Sequence, residues 1–519
     1  LASLITRKLK QVYAFALLKQ PGLFLLIVSV IIGALTFREY GMAWDERQQR
    51  VIGLFNWNYL FNADTYLLTF SDNHHGAAFE LFLISLEKIF HPEDLRGIFL
   101  MRHLVTHLLF LLSGFFCYKL IFLLYEDKML ACIGFLLFIL HPQIYAHSFF
   151  NSKDLPFLSL FMICLYLNAK NLQNKTMLNS ILLGACLALL INIRLMGVLL
   201  VCCVLLQLAI DAIREKKIRP GLKAAGFVTV SLLLVCYATW PYLWADPLKH
   251  FLAAFKSMSH YTWQNTNLFN GKLVDADKLG WEYIPVWFSV TSPLPYLLAG
   301  VFGIACCIYL FIKKPFPGFR TLDGICNLGF LLCFFLPVLA IIVLKSVLYD
   351  GWRHLFFIYP SFVMLGVLGL HTLLNRYKKI VPAAALIVFL YIGTVMIFNF
   401  PFQHVYFNSF VTWHSDPEYL RKQYDLDYWG TSFKQSFEYI LKKDPSPSVT
   451  VFVEEEPGIA NAEFLLPSQR ARIRLVPKEE AMYYITNYRW HPQDYPFEEK
   501  KVHSIKVLGS TINAVYKLK

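Results

Sequence analysis

Apolar residues in this chain come in long unbroken runs, without the alternation or the three-to-four-residue spacing of a soluble fold. The first run, LFLLIVSVIIGALTF, carries no charge along its whole length. A bilayer core of ~30 Å takes roughly 20 apolar residues of helix. On that measure eleven segments read as membrane spans, near 21–37, 99–125, 129–146, 155–169, 177–193, 195–213, 224–241, 286–312, 323–345, 354–374 and 380–399. A single helix over 177–213 would be about 55 Å long, so the chain is expected to turn near Asn192 to Arg194 and return. The segment 21–37 lacks a small-residue cleavage site and ten more apolar segments follow it, so it reads as the first span and not as a cleaved leader.

Two long polar segments interrupt the runs, at about 38–98 and 242–285. In the first, HHGAAFELFLISLEKIF places Phe79, Leu83, Leu86 and Phe90 at helical spacing, as the buried side of an interfacial helix. Aromatic residues are dense in both segments, which suits headgroup level. After Phe400 the pattern becomes a soluble mixture: SVTVFVEE, ARIRLV, MYYITNYR and INAVYKL read as strands, and GIANAEFLL as a helix. The expected fold is therefore a polytopic α-helical membrane domain over 1–400 and a small α/β domain over 401–519. No internal repeat is visible.

Composition sharpens this picture. The 519 residues are 57% hydrophobic with a mean hydropathy of +0.48, more apolar surface than one soluble core can cover. The net charge of +13 is not a nucleic-acid signature here, because most basic residues fall in short segments between spans. Their alternation sets a topology. With Arg7, Lys8, Lys10 and Lys19 cytoplasmic, the loops on that side hold Lys170 and Lys175; Arg214, Lys216, Lys217 and Arg219; Lys313, Lys314 and Arg320; and Arg376, Lys378 and Lys379. The other side keeps Lys153, Arg194, Lys345 and Arg353 in its short loops, and the C-terminal domain lies there too. All eleven cysteines fall between Cys117 and Cys333, in or beside apolar spans, and offer no disulfide framework.

A charge near the centre of a bilayer costs about 2.5–3.5 kcal/mol on insertion scales, so the charges placed between the outward ends need a reason. The topology brings Asp45, Lys153, Asp154, Arg194, Arg353 and His354 to one side. Any one basic residue could snorkel to the interface or hold a lipid headgroup; as a set they fit an anionic ligand at headgroup level. A lipid-linked sugar phosphate has such a group, and its phosphate leaves as a stabilised anion without a carboxylic acid to protonate it. One carboxylate is then enough to activate an acceptor hydroxyl, and direct displacement inverts the anomeric centre. Asp45 is the candidate base, with Glu46 orienting it or an acceptor group; a solvated helix cap is the plainer reading of the pair. His74 and His75 are candidates for substrate contact. Two adjacent histidines do not make a metal site, and neither a metal nor another cofactor is assigned.

The ordered motifs resemble the GT-C membrane glycosyltransferases, in particular the protein O-mannosyltransferase-like group related to lipid A aminoarabinose transferases. WDERQQ is similar to the Asp-Glu motif of that family's first outer loop, whose Asp is taken as catalytic. HHGAAFELFLISLEKIF resembles the His-Pro-Pro stretch of the same loop, with Gly76 and Ala77 where the prolines stand. LMRHLV resembles the start of the second span, which implies that Arg102 supports the site or meets phosphate. FFNSKDLPF resembles the second short outer loop, placing Lys153 and Asp154 near the donor. NLFNGKLVDADKLGWEYIPVWFSVTSPL resembles the long loop, with Asn270 as a substrate contact, and WRHLFFIYP the stretch that receives lipid phosphate through Arg353 and His354. HVYFNSFV and LDYWGTSFKQ resemble a bacterial branch; DYWG reads as packing of the soluble domain or as acceptor contact.

The resemblance implies a polyprenyl-phosphate sugar donor, inversion, an acceptor that is a protein, a lipid or a glycan, and a bacterial inner membrane with the C-terminal domain periplasmic. Rival readings are a lipid or glycan transporter or flippase, whose ionisable groups belong near midplane on broken helices; a glycan ligase or polymerase using a lipid pyrophosphate; and a receptor built on the C-terminal domain.

Overall fold

The computed structural model describes residues 20–259, 263–313 and 321–519. Arg7, Lys8, Lys10, Lys19, Lys314 and Arg320, on which part of the topology rested, lie outside the described residues. All eleven expected segments are helical, but they are not eleven equal spans. Nine helices among the described residues are long and apolar enough to cross a membrane. The segment near 129–146 is two helices, Lys128–Ile139 and Pro142–Phe150, bent by 63°, with Pro142 at the start of the second, where its missing N–H is harmless. The segment near 177–193 is a helix of only 15 residues, Met177–Ile191, about 22 Å at 1.5 Å per residue. Polar caps mark several starts: Asp94, Asp127, Thr176 and Thr321 each accept a backbone N–H of the first turn.

The short helix shows how the bundle is arranged. A three-residue turn joins it to Asp154–Gln173, and the free ends of the two helices meet again through an ion pair between Asp154 and Arg194, so they run antiparallel. Arg353 then links Asp154 to Asp45. The helix ends that carry these four residues therefore lie at one end of the bundle. Leu294–Lys313 and Tyr359–Arg376 pack with their backbones close: a Cβ on Gly303 would stand 1.8 Å from the Leu365 carbonyl oxygen, the small-residue contact of membrane helices.

Above that end, the first polar segment forms the helices Glu46–Phe61 and Ala78–Phe90. The second buries Phe79 and Leu83 together with Glu80, Ile84 and Glu87, whereas Phe90, expected on the buried side, is exposed. The second polar segment forms the helix Pro247–Ser259 and a hairpin of β1 (Thr266–Phe269) and β2 (Lys272–Asp275). Asn270 and Gly271 form its turn with positive φ of 49° and 76°, as an Asn-Gly hairpin requires.

The C-terminal domain is a five-stranded sheet in the order β4 (Ile473–Leu475), β3 (Val449–Val453), β5 (Tyr483–Thr486), β7 (Ser510–Lys517), β6 (Lys501–Val507). Strand β3 is parallel to both neighbours, and β7 is antiparallel to both of its own. Four strands and the helix Glu456–Glu463 fall where the sequence pattern places them; β6, with Lys and His among its apolar residues, does not stand out in the pattern. The helix Phe433–Lys443 covers one face through Phe433, Phe437 and Ile440 against Val449, Val451 and Val515.

This domain clamps the stretch before Asp45. The Asn461 side chain accepts the Met42 N–H at 2.9 Å and donates to the Met42 carbonyl at 2.8 Å, and the Trp44 N–H donates to the Trp429 carbonyl at 3.1 Å. The first polar segment is locked a second time at Gly76, where an added Cβ would meet the Asn192 carbonyl oxygen at 1.8 Å while the Ala77 N–H donates to the Asn192 side chain at 3.0 Å. Backbone meets backbone, so neither side can yield by rotating a side chain. Gly76→Ala is expected to destabilise the fold by about 1–3 kcal/mol, measured as a lowered denaturation midpoint in detergent; an unchanged midpoint would show that the two segments do not touch.

Candidate active site

Asp154 opens the helix Asp154–Gln173 and is 2% exposed. A buried carboxylate needs partners on both oxygens. Arg194, at the turn after the short helix, pairs with Oδ1, and Arg353 reaches Oδ2 at 3.5 Å. Asn151 donates to Oδ2 at 2.9 Å and accepts the Asp154 N–H at 2.8 Å. Three loops distant in sequence thus close on one carboxylate.

Arg353 is the hub of the cluster. Its Nη1 also donates to Asp45 Oδ2 at 3.1 Å, and its Nη2 to Asp350 Oδ2 at 3.1 Å. The guanidinium lies over the rings of Trp429 and Tyr349, 4.7 and 5.0 Å from their centroids. Asp45, by contrast, is half-open: 38% of its side chain is exposed, and it stands at the N-cap of Glu46–Phe61, where the helix dipole favours a negative charge.

Lys153 completes the group. Its Nζ lies 3.1 Å from His75 Nδ1. Burial, and then the neighbouring Arg194, push the Lys153 ammonium down to about 7, because positive charge here outweighs what Asp154 and Asp45 return. Burial and the charge of Lys153 likewise hold His75 well below the ordinary imidazole range, so it is neutral and able to accept from Lys153. His354 packs edge-on against Tyr349 at 4.6 Å. Among the described residues its Nδ1 and the Nε atoms of Arg194 and Arg353 are buried without a hydrogen-bond partner.

The other residues singled out in the sequence stand apart. Glu46 turns inward, accepting the Ala43 N–H at 2.7 Å and meeting His103 at 2.9 Å; it shapes the turn that carries Asp45. His74 packs against Tyr242 and makes no contact with the cations. Asn270 accepts from the Tyr424 hydroxyl at 2.9 Å, where the hairpin meets the C-terminal domain. Arg102 is enclosed between Glu80 and Glu87. Phosphate would have to displace two buried carboxylates to reach it, so of its two expected roles the supporting one fits: Glu80 in turn accepts from Ser152 at 2.6 Å, next to Lys153. Among the described residues no group of three or more His, Cys, Asp or Glu is arranged to hold a metal ion.

Beside the cations runs an apolar cavity of about 610 Å³. Ala78, Phe79, Phe82 and Leu86 form one wall, Val105, Leu108, Leu109 and Leu112 another, and Leu160, Leu189 and Ile193 close it. Every lining residue is apolar. Ile193 is the residue before Arg194 in the chain.

No protein-family model and no curated protein matches the sequence. Solved structures do. ArnT from Cupriavidus metallidurans in the apo state superposes with a TM-score of 0.50 at 10% identity, over 96% of this chain and 98% of that one. The chain has the GT-C fold. The same ArnT bound to undecaprenyl phosphate gives a TM-score of 0.47 at 9% identity, over 95% and 97% of the two chains. The Archaeoglobus fulgidus oligosaccharyltransferase gives 0.46 at 12% identity; 89% of this chain is covered, but it spans only 65% of that protein.

Within this GT-C fold several site residues escaped the sequence reading. Asp350 and Arg489 contact the cluster or its partners, and Glu80 and Glu87 hold Arg102, whereas Trp429, which lies over Arg353, belongs to the DYWG stretch already singled out. Glu80 and Glu87 lie beside the apolar stripe that drew attention to their helix, and two acidic residues seven apart, next to that stripe, were the available signal. Removing Arg102 should leave Glu80 buried without a counter-charge and Glu87 with only Arg50, 3.0 Å from its other oxygen. Arg102→Gln is expected to lower stability by about 3–5 kcal/mol in chemical denaturation, with Arg102→Lys losing less; an Arg102→Gln protein as stable as the parent would contradict the enclosed triad.

Proposed function

We propose that the protein transfers a sugar from a polyprenyl-phosphate donor to a hydroxyl of a protein, lipid or glycan acceptor at the extracytoplasmic face of the membrane, with inversion at the anomeric carbon. One observation carries this reading: Lys153, Arg194 and Arg353 crowd together with the half-open Asp45 beside them, and Ile193, the residue before Arg194, lines an all-apolar cavity. A cationic head and an apolar trough match the two halves of a prenyl phosphate. The cations crowd at helix ends, where a headgroup lies, and not along a path at midplane, which favours transfer over transport.

In the reaction Arg353 holds Asp45 Oδ2 and leaves the other oxygen for the acceptor hydroxyl. The hydroxyl oxygen bonds to the anomeric carbon as its proton passes to Asp45, and the bond from that carbon to the phosphate oxygen breaks with its electron pair remaining on phosphate. Lys153, Arg194 and Arg353 stabilise the added charge in a site with little water. Guanidinium and ammonium groups thereby supply the charge that a divalent ion supplies in other phosphate sites. Membership of the GT-C fold, with ArnT as the full-length match, supports the same class of chemistry.

Two outcomes follow. Asp45→Asn should lower turnover of a polyprenyl-phosphate sugar, followed by mass spectrometry as transfer or hydrolysis, by about 10²–10⁴-fold and leave binding of the donor nearly unchanged; full turnover would remove Asp45 from the reaction. Because Lys153 is charged below its value of about 7 and neutral above it, undecaprenyl phosphate should bind more weakly as pH rises above that point. The midpoint in the complex lies higher, since bound phosphate favours the charged form. Lys153→Arg, which stays charged, should flatten the profile; a parent protein whose affinity is constant from pH 6 to 9 would refute the assignment.

A further inference from the structure

Arg353 is shared among Asp45, Asp154 and Asp350, so its position depends on how strongly each carboxylate draws it. Asp45 and Asp154 take the same nitrogen, Nη1; Asp350 alone takes Nη2. Asp350 is itself divided. Its Oδ2 accepts from Arg353 at 3.1 Å, and its Oδ1 accepts from Arg489 of the C-terminal domain at 2.8 Å. Arg489 also donates to the Tyr428 carbonyl. Its guanidinium lies 5.0 Å from the Trp44 ring, one residue before Asp45, and 4.6 Å from the Trp490 ring. One buried side chain therefore touches the immediate neighbour of Asp45 and the partner of Arg353.

The backbone at both ends of this ion pair is left-handed. Tyr488 and Trp490, flanking Arg489, each have φ of 58°, and Asp350 and Gly351 have φ of 57° and 71°. Tyrosine and tryptophan rarely adopt that conformation, and such residues persist where the surroundings over-determine them. Hydrogen bonds supply that here: the Trp490 indole donates to the Thr266 carbonyl at 2.7 Å, Asn267 accepts the Asp350 N–H at 3.2 Å, and the Gly351 N–H donates to Tyr283 at 3.0 Å. Both ends of the Arg489–Asp350 pair are thus held by the β1–β2 hairpin segment and its surroundings.

We propose that Arg489 is a positioning residue for Arg353: by occupying Asp350 Oδ1 it restricts Asp350 to a single bond with Nη2, which leaves Nη1 on Asp45 and Asp154. Without Arg489, Asp350 has both oxygens free to take Nη1 and Nη2 of Arg353 end-on, drawing Nη1 off Asp45. The consequence for turnover rests on the function proposed above; the geometric claim does not.

The test uses the full chain in lipid nanodiscs with Arg489→Gln, Arg489→Lys, Asp350→Asn and the double variant Arg489→Gln/Asp350→Asn. Hydrogen exchange over residues 349–358 is expected to rise about fivefold or more in Arg489→Gln. With a polyprenyl-phosphate sugar, kcat should fall about tenfold or more while donor KM changes less than about threefold, since Lys153 and Arg194 remain in place. Adding Asp350→Asn should return at least about threefold of the lost kcat, because the competing carboxylate is gone. A residue that only stabilised the domain would make the double variant no better than Arg489→Gln, and that result overturns the proposal, as does unchanged exchange in 349–358. Should Arg489→Gln fail to fold, Arg489→Lys, which keeps the charge on Asp350 but loses the second bond, carries the same comparisons. A parent protein that neither binds undecaprenyl phosphate nor turns over the donor would defeat the proposed function, and the exchange measurement would still decide the role of Arg489.

Discussion

A carboxylate that water hardly reaches organises this molecule. Asp154 sits at the end of a membrane helix, where an uncompensated charge would cost several kcal/mol, and its compensation comes from two arginines on turns about 40 and 200 residues further along the chain. Satisfying it draws together the second short loop, the break between Met177–Ile191 and Val198–Arg214, and the turn before Tyr359–Arg376. Arg353, once buried there, needs more than half of one carboxylate, and Asp45 and Asp350 share the remainder. The arrangement of the helix ends is thus the geometry in which these charges are mutually satisfied.

Two kinds of buried cation result, and the difference separates support from chemistry. Arg102 has a carboxylate on either side and no charge to spare. Lys153 has only a neutral imidazole as its closest partner and an arginine nearby, so its proton is loosely held. A site that binds an anion must hold positive charge in reserve before the ligand arrives. For the proposed donor, Lys153 and the unpartnered Nε atoms of Arg194 and Arg353 are where that reserve would lie.

Much of this was legible in the sequence because membranes make charge conspicuous. Asp45, Lys153, Asp154, Arg194 and Arg353 stand out against apolar runs, and their alternation with the basic loops puts them on one side. The turn at Asn192–Arg194 follows from helix length alone. What could not be read was mutual engagement. Arg102 looks as available as Arg353 until Glu80 and Glu87 are seen to enclose it, and Asn270 looks like a polar loop residue until Tyr424 takes it. The unequal build of the eleven segments was hidden for a related reason: hydropathy measures apolar content and is blind to a 63° bend before Pro142. The soluble domain's share was hidden most completely. Arg489 lies in ordinary mixed sequence, and the DYWG stretch did not reveal which group Trp429 would cover; only the tertiary fold brings them to Asp350 and Arg353.

That Trp429 lies over Arg353 has a bearing on how the protein is made. Residues 45, 154, 194 and 353 are synthesised and inserted well before the indole that covers them. A nascent chain halted after its last span would hold the arginines in the bilayer surface with one face bare to water. The ring over Arg353 is therefore among the last parts of the cluster to arrive: it is set in place only when the C-terminal domain folds against the membrane helices.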